Sequence, residues 1–309
     1  MYCMNARSKD KKGKGKSKLE RREGLAGLLF VSPTIIYFIV FFLLPLVVCV
    51  YASFTNWNIL SPNRIFVGTL NYEKLFMDPK FWKALKNTLF MLIPIPIYIT
   101  FALLFAYACH KNILGQKVFR AIYYLPYISS IVALTLIWMW LFNSQYGLVN
   151  SFLSLFVDNP PSWLSDPFWT KWMIVIMISW KLIGFTSIYY IAALKSIPKS
   201  YYEAAQIDGA GPRQQFFKIT LPLITPTTFY LLVIGMIGSL QTFVEVQMFA
   251  PDGGRGYGVG TIVFYIWQKA FSSSQMGYAC AIATVFGLFI LVVTVVQFTV
   301  SRKWVFEGD

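Results

Sequence analysis

Three polar side chains interrupt long apolar segments of this sequence and are its strongest candidates for binding chemistry. Lys181 follows Trp180 in one apolar segment, and Glu245 lies in the next one, four residues after Gln241. Charged groups are costly inside a membrane and usually mark a solute or ion pathway. A four-residue spacing places Gln241 and Glu245 on one face of a continuous helix. A structural ion pair between Lys181 and Glu245 fits the same pattern, and both interpretations stay open.

Hydrogen-bonding groups next to aromatic rings suit a polar solute, because its polar groups need hydrogen-bond partners and its apolar faces can contact aromatic side chains. The candidate residues for a solute pathway are Lys181, Gln241, Glu245, Trp180, Tyr189 and Tyr190.

The histidine and cysteine content argues against a metal site or histidine-based catalysis. His110 is the single histidine, and the four cysteines show no C-x-x-C spacing. The Gly15-Lys16-Ser17 tripeptide ends like a phosphate-binding loop, but Asp10 occupies the first glycine position and no strand precedes it. We therefore expect no metal, no bound cofactor and no enzymatic activity in this chain.

The composition predicts an all-α polytopic membrane protein. The 309 residues are 57% hydrophobic and only 13% charged, and the mean hydropathy is +0.57. Six segments have the length needed to cross a bilayer, with a mixed loop over 52–84 between the first two. The predicted spans are about 24–51, 85–109, 119–142, 172–194, 222–249 and 277–300.

A basic tail over 1–23 sets the expected orientation. It holds nine Lys or Arg residues against three acidic ones, with almost nothing apolar. Such a segment is retained at the anionic cytoplasmic leaflet. Without the tail, basic residues divide almost evenly between the two membrane faces. The tail therefore predicts that both termini and the polar loop over 195–222 are cytoplasmic.

That polar loop is predicted to contain two short helices joined by a glycine bend. Pro198 suits a first helical turn, and Ser200 with Glu203 has the spacing of a capping box. The Gly209-Ala210-Gly211-Pro212 sequence breaks the first helix, and Pro212 opens the second. Each helix is too short to cross a bilayer, so the pair should lie at the membrane face.

The spacing of fixed residues in this loop resembles the EAA signature of permease subunits in binding-protein-dependent ABC importers. The sequence Glu-Ala-Ala is followed after three residues by Gly, after nine more by Ile, and after one more by Leu-Pro. The matching residues are Glu203, Ala204, Ala205, Gly209, Ile219, Leu221 and Pro222. The resemblance extends over the chain after the tail, and it is similar to the carbohydrate-uptake group, in particular to the maltose-type F subunit without its extra spans and large external domain.

The resemblance implies the type I ABC importer permease fold, in a bacterial cell membrane, with the EAA loop (residues 195–222) docked in a cleft of a cytoplasmic ATPase. Two alanines beside one glutamate form a narrow helix face that can enter such a cleft, where Glu203 pairs with a basic group. The implied partners are a second homologous permease, two ATPase subunits that use ATP and Mg, and an external solute-binding protein. A glycine-rich turn facing that protein corresponds to Gly253-Gly254-Arg255, where the family usually has Gly-Gly-Pro.

Other functions remain open at this point. Within the same family the solute could be a phosphorylated polyol or an amino acid. An ion-driven secondary transporter normally has more than one carboxylate within the membrane and an internal repeat, and here Glu245 stands alone. A membrane enzyme would need clustered acids or histidines at a membrane face, which the single His110 disfavours.

Overall fold

A computed structural model describes residues 18–61, 64–110 and 116–306. Most of the predicted basic tail, including the Gly15-Lys16-Ser17 tripeptide, lies outside these described residues. Secondary structure in the described part is helical, apart from one isolated bridge between Thr55 and Phe66.

Five described helical segments are long and apolar enough to cross a membrane, and a sixth span results if one bent helix pair is counted. The five segments are Ala26–Ser53, Pro79–Cys109, Pro167–Ser196, Thr225–Phe249 and Met276–Ser301, and the bent pair is Ala121–Ile128 with Ile131–Leu141. The predicted all-α polytopic fold is thus confirmed.

The chain divides into two compact units, residues 1–51 and 52–309. The described residues of the first unit form one long helix. It consists of α1 (Lys18–Phe38), a π-helical segment (Ile39–Leu43) and α2 (Leu44–Ser53), whose last two residues belong to the second unit. The π segment ends two residues before Pro45, which lacks the N–H that would continue the helical hydrogen bonds.

The second unit contains the remaining helices. They are α3 (Leu70–Met77), α4 (Pro79–Phe90), α5 (Pro94–His110), α6 (Gln116–Ile128), α7 (Ile131–Leu141), α8 (Leu148–Leu153), α9 (Pro167–Ser196), α10 (Lys199–Ile207), α11 (Pro212–Gln215), α12 (Leu221–Leu223), α13 (Thr225–Leu240), α14 (Val244–Phe249), α15 (Ile262–Trp267) and α16 (Met276–Ser301). Two π-helical segments, Phe216–Thr220 and Gln268–Ser272, and a 3-10 turn, Arg255–Tyr257, lie between them.

The segment 52–84, predicted as a mixed loop, is partly helical. It contains α3 and the first half of α4, so the second membrane helix begins at Pro79 rather than near residue 85. Asp78 caps α4, because its Oδ1 accepts a hydrogen bond of 2.9 Å from the Lys80 amide and Pro79 occupies the first helical position. Lysines and a tryptophan in the first turns of α4 are more typical of a loop than of a membrane helix, which accounts for the difference from the prediction.

The segment 119–142, predicted as a single span, is broken. Its helices α6 and α7 meet at an angle of 104°. Ser130 has an extended backbone (φ −56°, ψ 129°), and the Ser129 hydroxyl donates a 2.8 Å hydrogen bond to the Leu125 carbonyl. The preceding Pro126 lies inside α6 and removes one helical donor. The bend is therefore built from local residues.

Two apolar cores stabilise the second unit, one near each end of its long helices. The core beneath the EAA loop joins α5 to α9, where Ala102 and Ala106 are fully buried. Small residues let membrane helices approach closely. A second close approach occurs at Gly184 of α9, where an added Cβ would lie 1.9 Å from the backbone oxygen of Tyr123 in α6. The helices that surround the EAA loop are thus tightly packed against each other.

Candidate functional site

The EAA loop folds as two short helices around a glycine bend. The first, α10, ends at Ile207, and Gly209 adopts a positive φ of 76°. The Ala210 amide then donates a 2.8 Å hydrogen bond back to the Ala205 carbonyl, which closes the helix end. A residue with a Cβ is strained at this φ, whereas glycine adopts it freely. Gly209 therefore sets the angle at which α11 follows.

The capping box predicted between Ser200 and Glu203 is absent. Pro198 precedes α10 as its N-cap, and no side chain caps this helix end. Ser200 is the second residue of the helix. Its hydroxyl therefore lies beyond the N-cap position, from which it could accept hydrogen bonds from the first free amides. Glu203 thus takes no part in capping α10.

The EAA residues lie on the solvent side of this loop. Glu203 and Ala204 are exposed, Ala205 is half-buried, and Ile207, one turn after Glu203, is 87% exposed. On the opposite side, the Tyr202 hydroxyl hydrogen-bonds the Thr220 hydroxyl at 2.9 Å. α10 is therefore anchored by its inner face and presents one carboxylate and one uncovered isoleucine on its outer face.

The end of the signature connects the loop to the membrane core. Ile219 lies in the π-helical segment and is half-buried, as is Pro222. Leu221 packs against the core cluster that contains Tyr190 and Leu231. The Tyr202–Thr220 hydrogen bond and the packing of Leu221 thus connect α10 with the core formed by residues of α9 and α13.

A central cavity of about 540 Å³ lies among α5, α6, α7, α9, α13 and α14. Lys181, Gln241 and Glu245 all line it, so three of the six predicted pathway residues meet in one place. The Lys181 amine and the Glu245 carboxylate form no ion pair closer than 4.0 Å. Both charged side chains line the same cavity in this conformation.

The three aromatic candidates do not line this cavity. Trp180 is 41% exposed and lies beside the Trp138 ring. Tyr190 is completely buried and donates its hydroxyl to Thr228 at 3.1 Å, which gives it a packing role. Tyr189 contacts the rings of Phe185 and Tyr230 beyond the cavity. Trp180, Tyr189 and Tyr190 therefore do not line this cavity, and their place on the solute pathway stays a prediction.

Other aromatic residues replace them. Tyr98, Tyr127, Phe185 and Phe243 line the cavity. The Tyr98 hydroxyl fits against Gly235, where an added Cβ would lie 1.9 Å from it. In the sequence these aromatic residues cannot be distinguished from lipid-facing ones. The small Gly235 is compatible with a close approach of an aromatic side chain, but it does not show which one.

Gln241 and Glu245 do not share a continuous helix, contrary to the prediction. α13 ends at Leu240, and Phe243 has a non-helical backbone (φ −136°, ψ −57°) before α14 begins. The break is stable because the Thr261 hydroxyl donates a 2.7 Å hydrogen bond to the Thr242 carbonyl. Broken membrane helices of this kind are tolerated where they line a cavity. Gln241 and Glu245 therefore line the same cavity although they do not share one face of a continuous helix.

The glycine-rich turn is rigidly held at the end of the molecule opposite the EAA loop. Gly253 and Gly254 have positive φ values of 82° and 75°, and the Gly253 carbonyl accepts hydrogen bonds from two later amides of the turn. Asn87 of α4 reaches across and donates 3.0 Å hydrogen bonds to the Tyr257 and Gly260 carbonyls. Arg255 follows the two glycines on this surface and is exposed.

We expect Asn87→Leu to lower the melting temperature of the protein by several degrees. Asn87 is 6% exposed, and its loss leaves the Tyr257 and Gly260 carbonyls without a donor. Each such group costs about 1–3 kcal/mol. Thermal unfolding of the purified chain measures the effect. Asn58→Leu is the control, because among the described residues the Asn58 side chain accepts a single local hydrogen bond, from the Leu60 amide. Equal shifts for both variants would contradict the assigned role.

Residues 98–305 match the family described as binding-protein-dependent transport system inner membrane component. The probable ABC transporter permease protein YesP of Bacillus subtilis (strain 168) is 34% identical over 94% of each chain. The lactose transport system permease protein LacF of Rhizobium radiobacter is 34% identical over 93% of this chain and 98% of its own.

Solved structures give the same result. A bacterial ABC transporter involved in the import of the acidic polysaccharide alginate contains a chain that is 28% identical, with a TM-score of 0.79 over 93% of this chain and 99% of its own. A second structure of a bacterial alginate transporter, in complex with its alginate pentasaccharide-bound periplasmic protein, matches with 26% identity and a TM-score of 0.76 over 94% and 99% of the two chains. The chain therefore belongs to the family of inner membrane components of binding-protein-dependent transport systems.

Proposed function

We propose that this chain is one permease subunit of an ATP-driven importer for a sugar or oligosaccharide. The observation that carries the proposal is the EAA loop, which presents Glu203 on an exposed helix anchored directly to the helices around the central cavity. The solute class is supported by relatives that are named for lactose and alginate transport.

The chain works in this proposal with a second homologous permease, two ATPase subunits and an external solute-binding protein. The basic tail and the EAA loop face the cytoplasm, and the Gly253-Gly254-Arg255 turn faces the binding protein. The alginate transporter solved with its periplasmic protein supports the last partner. ATP and Mg are used by the ATPase subunits, and this chain is not an enzyme.

Transport then follows from movement of α10. Closure of the ATPase subunits carries Glu203 and its helix with it, and the Tyr202–Thr220 contact transmits the displacement to α12 and α13. The helices rock as rigid bodies because their cores are close-packed. The central cavity opens outward to accept the solute and inward to release it, and no bond of the solute is broken.

Lys181→Met and Glu245→Gln should each slow uptake about 10- to 100-fold at low solute concentration. Each change removes a charged partner worth about 1.5–3 kcal/mol to a bound polar group. Initial uptake rates measure the effect, and Gln247→Leu is the control, since Gln247 does not line the cavity. A structural ion pair predicts a different outcome: the single variants lower the melting temperature and the double variant restores it.

The solute class is tested by deleting the gene in its host and measuring the accumulation of labelled compounds. We expect the loss of uptake of one saccharide or oligosaccharide, restored by the wild-type gene. Uptake of amino acids and of glycerol phosphate should be unchanged. Loss of either of those with intact saccharide uptake would assign the importer to the other solute class.

A further inference from the structure

A groove with three lysines lies at the end of the second unit that also holds the glycine-rich turn. We call it the lysine groove; it has a volume of about 860 Å³ and is lined by Leu70, Glu73, Lys74, Met77, Asp78, Pro79, Lys80, Tyr265 and Lys269. We propose that the lysine groove binds the headgroup of an anionic phospholipid, with an acyl chain lying along its apolar edge.

The three lysine amines of the groove lie close to adjacent tyrosine rings. The Lys74 amine lies 5.1 Å from the centre of the Tyr278 ring, and the Lys269 amine lies 5.5 Å from the Tyr265 ring and 5.6 Å from the Tyr278 ring. Lys80 lies 5.8 Å above the neighbouring Tyr257 ring. Three ammonium groups over adjacent rings can together attract an anion with several oxygen atoms.

The carboxylates of the groove are already occupied by other donors. Asp78 Oδ2 accepts hydrogen bonds from the buried hydroxyls of Tyr265 and Tyr278, the second at 2.8 Å, and Oδ1 accepts one from the Lys80 amide. Glu73 accepts a 2.9 Å hydrogen bond from the Thr69 hydroxyl. None of the groove lysines forms an ion pair within 4.0 Å with a described residue. Their charges therefore remain available to an external anion.

The local electrostatics agree with this geometry. Burial alone would raise the pKa of the Asp78 carboxyl, but the two tyrosine hydroxyls, the Lys80 amide and the Lys269 charge outweigh it and hold this pKa below its ordinary value. Burial lowers the pKa of the Lys269 amine, and the charges of Lys74 and Lys80 lower it further, against the opposite effect of Asp78. An anion in the groove would relieve the repulsion among these lysines.

The apolar edge of the groove favours a lipid over a protein surface. Met77 is 82% exposed and Leu70 is 58% exposed, and both line the groove. Pro79, the first residue of a membrane helix, lies beside them. In the proposal this edge lies at the membrane surface, where an acyl chain would cover it and the lysines would reach the phosphate.

Native mass spectrometry of the full-length chain in detergent tests the proposal with defined probes. We expect dioleoylphosphatidylglycerol to bind more tightly than dioleoylphosphatidylcholine. The triple variant Lys74→Gln, Lys80→Gln, Lys269→Gln should lose most of this preference, because each lysine near an anionic lipid contributes roughly fivefold in affinity. The corresponding triple Lys→Arg variant should retain it, which separates loss of charge from loss of folding.

The matched control changes three other basic residues on the same side, Arg64→Gln, Lys83→Gln and Lys86→Gln, and should retain the preference. An unchanged preference in the groove variant would overturn the proposal. So would displacement of the lipid by millimolar inorganic phosphate, which would identify a site for a free anion. Loss of affinity for an acidic protein, with lipid preference intact, would identify a protein-docking surface instead.

Discussion

Replacing Glu203 by lysine is expected to abolish solute uptake while leaving the protein folded and inserted. Glu203 is exposed on the outer face of α10 and takes no part in capping that helix, so the substitution disturbs little within the chain. In the proposed complex it places a positive charge against the basic group that Glu203 pairs with. Disrupting a buried charge pair at an interface costs about 2–5 kcal/mol or more. The ATPase should therefore dissociate from the variant during co-purification.

Asp158→Lys provides the matched control for this experiment. Asp158 is also exposed, and the change in net charge is the same, but it lies between α8 and α9, outside the EAA loop. We expect normal uptake and normal ATPase recovery in this variant. Normal uptake by the Glu203→Lys variant would show that the EAA loop does not couple the permease to its ATPase in the way proposed.

Gly184→Ala is expected to destabilise the protein strongly, although alanine normally stabilises a helix. The new Cβ would lie 1.9 Å from the Tyr123 backbone oxygen, so α6 and α9 must separate. Overpacking of this kind costs about 1–3 kcal/mol and outweighs the gain of about 1 kcal/mol from helix propensity. Thermal unfolding followed by size-exclusion chromatography should show a melting temperature several degrees lower.

Gly238→Ala tests whether this effect is specific to the helix contact. Gly238 also lies inside a membrane helix, α13, but an added Cβ there meets no atom within 4 Å. Its melting temperature should stay the same or rise slightly because of helix propensity. A fall of similar size in both variants would mean that the α6–α9 contact does not limit stability.

The EAA loop could be predicted from the sequence because its structure depends on neighbouring residues. Gly209 and Pro212 specify the bend and the second helix by their own backbone preferences, and the structure contains both. The capping box failed for a related reason. Pro198 starts the helix earlier than the Ser200 pattern implies, and a pattern of residue types gives no information on which competing start is used.

The central cavity could be predicted only in part. Lys181, Gln241 and Glu245 stand out because polar residues are rare in apolar segments, and all three line the cavity. The helix break between Gln241 and Glu245 depends on Thr261, whose hydroxyl bonds the Thr242 carbonyl from another segment. A contact of that kind has no local signal in the sequence.

The aromatic residues show the same limit more clearly. Tyr98 and Tyr127 line the cavity, whereas Tyr190 is buried in the core beneath the EAA loop. All three are tyrosines in apolar segments, and the 104° bend between α6 and α7 changes which faces point inward. Their positions follow from helix packing, so composition and spacing could not separate them.

The central claim is that ATP hydrolysis in a partner drives a saccharide through this chain by way of the EAA loop. Proteoliposomes containing this permease, its homologous partner, the ATPase and the external binding protein test it most directly. We predict that labelled saccharide accumulates only with Mg-ATP on the ATPase side, and that Glu203→Lys prevents accumulation. Accumulation driven by an ion gradient without ATP would contradict the account.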